Sequence, residues 1–303
     1  MISARPTPLL LAVAIVSILG MVVAEDAAAE LGCRFDPAAH LLAISVTSSG
    51  INSEGVVRRS GDSIRISEFT GGRVVPCDGG VPTVTNTDLV KVATKGTLAS
   101  IDVELQGGSF APGATAEVDG SSEIEFTVSG AGSVTVEGTS GADHLRYLTA
   151  DGLSGVDLNP GADDRDVDVS IEGNGIAPPV FLETGPGPDT IDVVGRPAFG
   201  IVADGGAGDD SLLARNAPSG AALEGGRGND RIVGSASANL IVPGAGSDVV
   251  EALGGEDIVL LGRDGHRDGI DCGAGADKSD LGDRFDRLRS CEHREHVHLP
   301  ASL

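Results

Sequence analysis

A nine-residue pattern, Gly-Gly-x-Gly-x-Asp-x-U-x with U a large apolar residue, constrains this chain more than any other feature. Gly205-Gly206-Ala207-Gly208-Asp209-Asp210-Ser211-Leu212-Leu213 and Gly225-Gly226-Arg227-Gly228-Asn229-Asp230-Arg231-Ile232-Val233 fit it without error. Three more nonapeptides follow Val233 without a gap. Gly234 to Val242 has Asn239 in the Asp slot and Ile241 in the apolar slot. Pro243 to Glu251 holds Gly244, Gly246, Asp248 and Val250, and Ala252 to Leu260 holds Gly255, Asp257 and Val259. Cys272 to Asp280 keeps Gly273, Gly275 and Asp277 but has Ser279 in the apolar slot. Upstream, Gly185, Gly187, Asp189 and Ile191 form an earlier copy, and Gly138, Gly141, Asp143 and Leu145 a fainter one.

The pattern prescribes a coil of turn, short strand, turn, short strand, two nonapeptides to the coil. Glycine supplies the positive φ and the close backbone approach that the turns need. The single apolar residue points inward, so Ile232, Ile241, Val250 and Val259 are expected as rungs of a thin core. One coil cannot bury such a face alone, and neighbours must stack on it. Composition agrees: 45 of 303 residues are Gly and only 3% are aromatic, with no Trp. That excludes a core of large rings, and each interior Gly would cost a helix about 1 kcal/mol. In the first half, period-two runs such as Leu41 to Val46, Ser63 to Ile66, Leu89 to Val92, Ile101 to Leu105, Ile124 to Val128 and Val134 to Gly138 read as half-buried strands. Their irregular spacing suits a sandwich or a solenoid. The expected fold is all-β, a parallel β-solenoid with Gly/Asp-rich turns.

The charge balance points to chemistry. The net charge is −24, with Lys+Arg 21 against Asp+Glu 45. This excludes binding driven by nucleic-acid phosphates, which needs a basic face. Turns of alternate nonapeptides lie on one side of the solenoid, so their sixth-position carboxylates approach one another. Asp210 to Asp230 is 20 residues, Asp230 to Asp248 is 18, and Asp248 to Asp268 and Asp257 to Asp277 are 20 each. A hard cation held by Asp oxygens and turn carbonyls removes the repulsion, and calcium accepts about 6–8 oxygens in tolerant geometry. The candidate Ca2+ ligands are therefore Asp210, Asp230, Asp248, Asp257, Asp268 and Asp277. Asn239 is neutral and should weaken the site it shares with Asp257. Asp143 and Asp189 are weaker candidates, the latter with Pro186 and Pro188 in its turn.

These nonapeptides resemble the hemolysin-type, repeats-in-toxin (RTX) calcium-binding motif. The ending Asp268-Gly269-Ile270-Asp271-Cys272-Gly273-Ala274-Gly275-Ala276-Asp277, with Asp283-Arg284-Phe285-Asp286 and Cys291-Glu292, is similar to the close of a group of exported bacterial calcium-binding-repeat proteins. Cys33-Arg34-Phe35-Asp36 and Gly107 to Thr115 resemble the amino-terminal half of the same group. The resemblance implies a calcium-loaded β-roll. Two departures stand out: toxins and proteases of the class leave the cell by an uncleaved carboxy-terminal signal, and they append a catalytic or pore-forming domain that this sequence lacks.

Arg5 followed by the apolar run Leu9 to Val23 reads as a secretory signal peptide, with cleavage after Ala24 or, alternatively, Ala29. The run is shorter than the roughly 20 residues of a membrane span. Four cysteines in an export context suggest disulfides. Three connectivities are open. The local one, Cys33–Cys77 with Cys272–Cys291, is expected because an elongated fold keeps its ends apart. The organisation read from the sequence is a leader at 1–24, a solenoid-like half at 33–180, a nonapeptide β-roll at 181–291 and a tail at 292–303. There is no Gly-x-Ser-x-Gly elbow and no His-Glu-x-x-His motif. The acid pair Asp163-Asp164 and the histidines of the tail (His293, His296 and His298) carry little information. The expectation is a secreted, non-enzymatic calcium-binding protein with a structural or adhesive role. Its expected partners are calcium ions and a cell-surface or extracellular polymer, with no nucleic acid and no membrane span after cleavage. The alternative is a secreted polysaccharide-active lyase or hydrolase on a β-helix scaffold, using carboxylates and a base such as Arg58, Arg59, Lys91 or Lys95.

Overall fold

The computed structural model describes residues 30–294, apart from 48–52, 69–71, 97–98, 112, 116–122, 131, 151, 159–166 and 174–178. The expected leader, the pair Asp163-Asp164 and the tail beyond Arg294 lie outside the described residues. Two long sheets face each other and the chain passes from one to the other coil by coil.

Sheet A has 13 strands, in spatial order Glu30–Asp36, Leu41–Thr47, Leu89–Lys95, Glu125–Gly130, Val169–Gly173, Leu153–Asp157, His144–Ala150, Thr190–Val193, Ser211–Leu213, Arg231–Val233, Val249–Glu251, Gly269–Asp271 and Arg287–Arg289. Sheet B has 12, running Val74–Val75, Ser63–Glu68, Ser53–Ser60, Ala99–Glu104, Val134–Glu137, Val180–Glu183, Ile201–Asp204, Ala221–Arg227, Leu240–Ala245, Ile258–Val259, Lys278–Ser279 and His293–Arg294. The fold is an all-β parallel solenoid, and both sheets run through the irregular first half as well as the repeats.

Register explains the core. In sheet A, Leu145, Ile191, Leu212, Ile232, Val250 and Ile270 align on successive strands and all are buried. In sheet B the inward line is Val57, Val103, Val136, Leu182, Ala203, Leu223, Ile241, Val259 and Ser279. The core is thus about one large side chain wide, and each buried Val, Leu or Ile rung stabilises it by roughly 1.5–3 kcal/mol. Ser279 closes that line as the sequence indicated; it is 0% exposed and its hydroxyl meets no hydrogen-bond partner.

The solenoid is not parallel throughout. Glu30–Asp36 pairs antiparallel with Leu41–Thr47, and Ser53–Ser60 with Ser63–Glu68, through a turn holding Gly61 at φ 64°. Between His144–Ala150 and Val169–Gly173 a third antiparallel excursion inserts Leu153–Asp157, turning at Gly152 with φ 83°. Tight turns of this hand need a residue without a Cβ, and Gly supplies it. Two disulfides tie the ends: Cys33–Cys77 (S–S 1.95 Å) holds the segment after Val74–Val75 against the first strand of sheet A, and Cys272–Cys291 (S–S 2.02 Å) closes the last coil. The local connectivity is the one formed. Among the described residues no helix is long and apolar enough to cross a membrane.

Candidate calcium site

An aspartate stands immediately before most strands of sheet A. Asp88, Asp143, Asp168, Asp189, Asp210, Asp230, Asp248, Asp268 and Asp286 each precede one. In sheet B the corresponding places before the last four strands hold Asn239, Asp257, Asp277 and Glu292. The turn ends there and the inward rung comes two residues later, so the carboxylate is carried to the edge of the core. All six expected ligands are buried, at 0–3% exposure.

Each carboxylate is used asymmetrically. The Asp189 N–H donates to Asp210 Oδ1 (2.8 Å), Asp210 to Asp230 (2.9 Å), Asp230 to Asp248 (2.8 Å) and Asp248 to Asp268 (3.0 Å). On the opposite edge Asn239 N–H donates to Asp257 Oδ1 (2.8 Å) and Asp257 to Asp277 (2.9 Å). The structure therefore brings Asp210, Asp230, Asp248 and Asp268 into one column and Asp257 and Asp277 into another. The second oxygen is the anomaly. Oδ2 of Asp189, Asp210, Asp230, Asp248, Asp257 and Asp277 is buried with no hydrogen-bond partner. A buried, unpaired carboxylate oxygen costs several kcal/mol unless it meets a proton or a cation.

The glycines keep space beside these oxygens. A Cβ on Gly205 would lie 2.7 Å from Asp210 Oδ2 and 2.8 Å from the Gly225 carbonyl oxygen of the next coil. Gly225 stands likewise between Asp230 Oδ2 and the Pro243 carbonyl. Two acceptors thus face each other across a slot. Asn239 occupies the equivalent slot beside Gly234 and resolves the conflict internally, since its Nδ2 donates to the Ala252 carbonyl (3.1 Å) and to Asp257 Oδ1 (2.8 Å). Where an amide supplies hydrogens, the slot is satisfied; where a carboxylate stands, a positive partner is required. The other glycines let coils stack: Gly208 and Gly228 have φ of 154° and 131°, and a Cβ on Gly228 would overlap the Gly208 carbonyl.

Burial, reinforced by like-charged neighbours, pushes the carboxyl pKa of Asp210, Asp248 and Asp257 up to about 7 and that of Asp268 to about 6. Desolvation dominates throughout; backbone N–H donors pull the other way. Asp230 and Asp277 shift upward for the same reason. A hard divalent cation fits this donor set: anionic oxygens, backbone carbonyls and no competing base. Asp210, Asp230, Asp248, Asp257, Asp268 and Asp277 would hold it, with the turn carbonyls beside them.

The columns are longer than the sequence pattern indicated. Asp143 N–H donates to Asp189 Oδ1 (2.7 Å), so both weaker candidates join the first column. Asp268 N–H donates to Asp286 Oδ1 (3.1 Å), and Asp277 N–H to Glu292 Oε2 (3.1 Å). The 18-residue interval from Asp268 to Asp286 was a readable signal. Glu292 was not readable, because it differs in type and spacing and reaches its place beside the disulfide of Cys291.

By fold this is a β-roll, with acidic, glycine-rich turns stacked in columns. Residues 222–250 and 244–264 match the family model of the RTX calcium-binding nonapeptide repeat (4 copies). The chain thus carries RTX-type repeats, in the segment where the pattern is densest. No curated protein and no solved structure matches the chain.

Proposed function

We propose that the protein is an exported calcium-binding β-roll with a structural or adhesive role and no active site of its own. One observation carries the reading: the column of buried Asp oxygens without partners, which makes the folded second half dependent on a cation that is plentiful outside cells and scarce inside. The two disulfides support an oxidising compartment. The basic residues a polysaccharide-active site would draw on are partly engaged elsewhere. Arg58 donates to Ser67 Oγ (3.0 Å), and Arg59 donates to the carbonyls of Gly61, Ser109 and Ala111. An extracellular or cell-surface polymer is the expected partner. Titrating the mature chain with calcium, followed by circular dichroism and calorimetry, tests the reading. Saturable binding with a rise in melting temperature is expected, and no activity on polyuronates. Melting unchanged by millimolar calcium would overturn the calcium role, and turnover of a polyuronate the non-enzymatic one.

A further inference from the structure

The outer face of sheet B carries a feature that the turns do not explain. Parallel register sets Glu104, Glu137, Glu183, Asp204 and Glu224 on one line across five successive strands. Neighbouring strands lie about 4.8 Å apart, so each carboxylate stands beside another. Arg58 heads the line with Arg65 opposite it, and Arg58 Nη1 is 3.6 Å from Glu104 Oε2. Beyond Glu224 the line passes to Val242. No base on this line separates Glu137 from Glu224, and like charges side by side across strands are destabilising.

An acidic row by itself is a solvated face, but Asp102 is not solvated. It lies two residues before Glu104 on the same strand and the same outer face. It is 2% exposed and its Oδ1 has no hydrogen-bond partner. Glu54 and the Thr135 side chain hydrogen-bond to its carboxyl, and the charge of Glu137 acts on it. Oδ1 is thus a buried oxygen left bare beside two further carboxyls, those of Glu54 and Glu137.

We propose that this face is a second cation site, holding divalent ions, calcium best among them, at the Asp102–Glu54 pair and along the row Glu137, Glu183 and Asp204. Among the described residues no three acidic side chains close a cage around one point. Each ion is accordingly bridged by a pair of carboxylates from neighbouring strands, with water completing its shell. Calcium tolerates such open, irregular geometry better than magnesium does. Partial desolvation holds the carboxyls of Glu137, Glu183, Asp204 and Glu224 above their usual range, Glu183 at about 7, and like-charged neighbours add to it at Glu137, Glu183 and Glu224. A bound cation relieves both penalties. The proposal uses none of the turn aspartates and stands or falls without them.

Equilibrium dialysis with calcium on the full chain tests it, comparing wild type with the double variant Glu54→Gln/Asp102→Asn and with Glu183→Lys. Asp230→Asn, combined with each, serves as the control for the turns. Both face variants should bind at least one equivalent fewer, additively with the loss from Asp230→Asn. Glu183→Lys, at an exposed position, should also melt higher than wild type in chelator, because it places a base in the acidic row. It decides the matter if the double variant does not fold. Unchanged equivalents in the face variants would overturn the proposal and leave Asp102 and Glu54 sharing a proton. Loss in the face variants with none from Asp230→Asn would uphold it and overturn the turn sites instead.

Discussion

At the residue scale the decisive pair is Asp230 and Asp257. Asp230 accepts from Asp210 and donates to Asp248, both carboxylates, so it faces acidic neighbours on two sides. Asp257 has Asp277 on one side and the amide of Asn239 on the other. Asp230→Asn should therefore weaken two calcium sites and Asp257→Asn one, which titration calorimetry reads as different losses in stoichiometry. Asn239→Asp should destabilise the chain in chelator by about 1–3 kcal/mol, because the amide's bonds to the Ser235 and Ala252 carbonyls and to Asp257 are lost and an acceptor replaces the donor. Millimolar calcium should cancel that cost, and equal melting with and without calcium would show the slot does not take the ion. The pH dependence follows from raised carboxyl pKa values, from an ordinary 3.8 to about 7 at Asp210, Asp248 and Asp257. Between those values the folded chain binds more protons than the unfolded one. Stability in chelator should be greatest below about pH 4 as regards these groups and decline as pH rises to about 7. Excess calcium should reverse the trend, since it binds the ionised form. Melting curves across that range, with and without the ion, check the sign.

At the element scale the last coil depends on its staple. Asp286 and Glu292 end the two columns, and Cys291 sits next to Glu292 in a 19-residue loop closed on Cys272. Cys291→Ser should cost about 3 kcal/mol by loop entropy. It should also release Glu292 from Asp277, so protection of the Asp277 and His293 amides against exchange should fall first. Uniform loss across all coils would contradict this. How far each element was legible depended on how local its cause was. The strands of the repeats follow from apolar residues such as Ile232 and Val250, whose partners lie one coil away at a fixed interval. The antiparallel excursion through Leu153–Asp157 was not legible, because Val156 is its one buried apolar side chain and no alternation marks it as a strand.

At the scale of the whole molecule, one pair of sheets joins two halves of different chemistry. The first half is held by wider rungs such as Phe126 and Ile101 and by antiparallel caps, the second by single rungs between acidic turns. Chelation should therefore raise exchange from about Gly205 onward and leave the strands from Leu41 to Val136 largely protected. Sites of extracellular type, at roughly 10⁻⁴ to 10⁻³ M, would each contribute about 1–2 kcal/mol at a few millimolar calcium. Equal loosening of both halves would mean that the ion stabilises the chain as a single unit.

The coil is written in the local pattern of the chain. Glycine at fixed intervals, one apolar residue in nine and a sixth-position acid act through local sterics, and the eighteen-residue period carries them to the next turn. The sequence also indicated Asp210, Asp230, Asp248, Asp257, Asp268 and Asp277, and the local pairing of the cysteines. Which oxygen of each carboxylate is used and which is left bare depends on how the coils stack. Stacking also sets Glu292 at the end of a column and aligns Glu104, Glu137, Glu183, Asp204 and Glu224 across strands from both halves. Those relations span irregular intervals of the chain. They are fixed by sheet register, which a sequence period reveals only where it is regular.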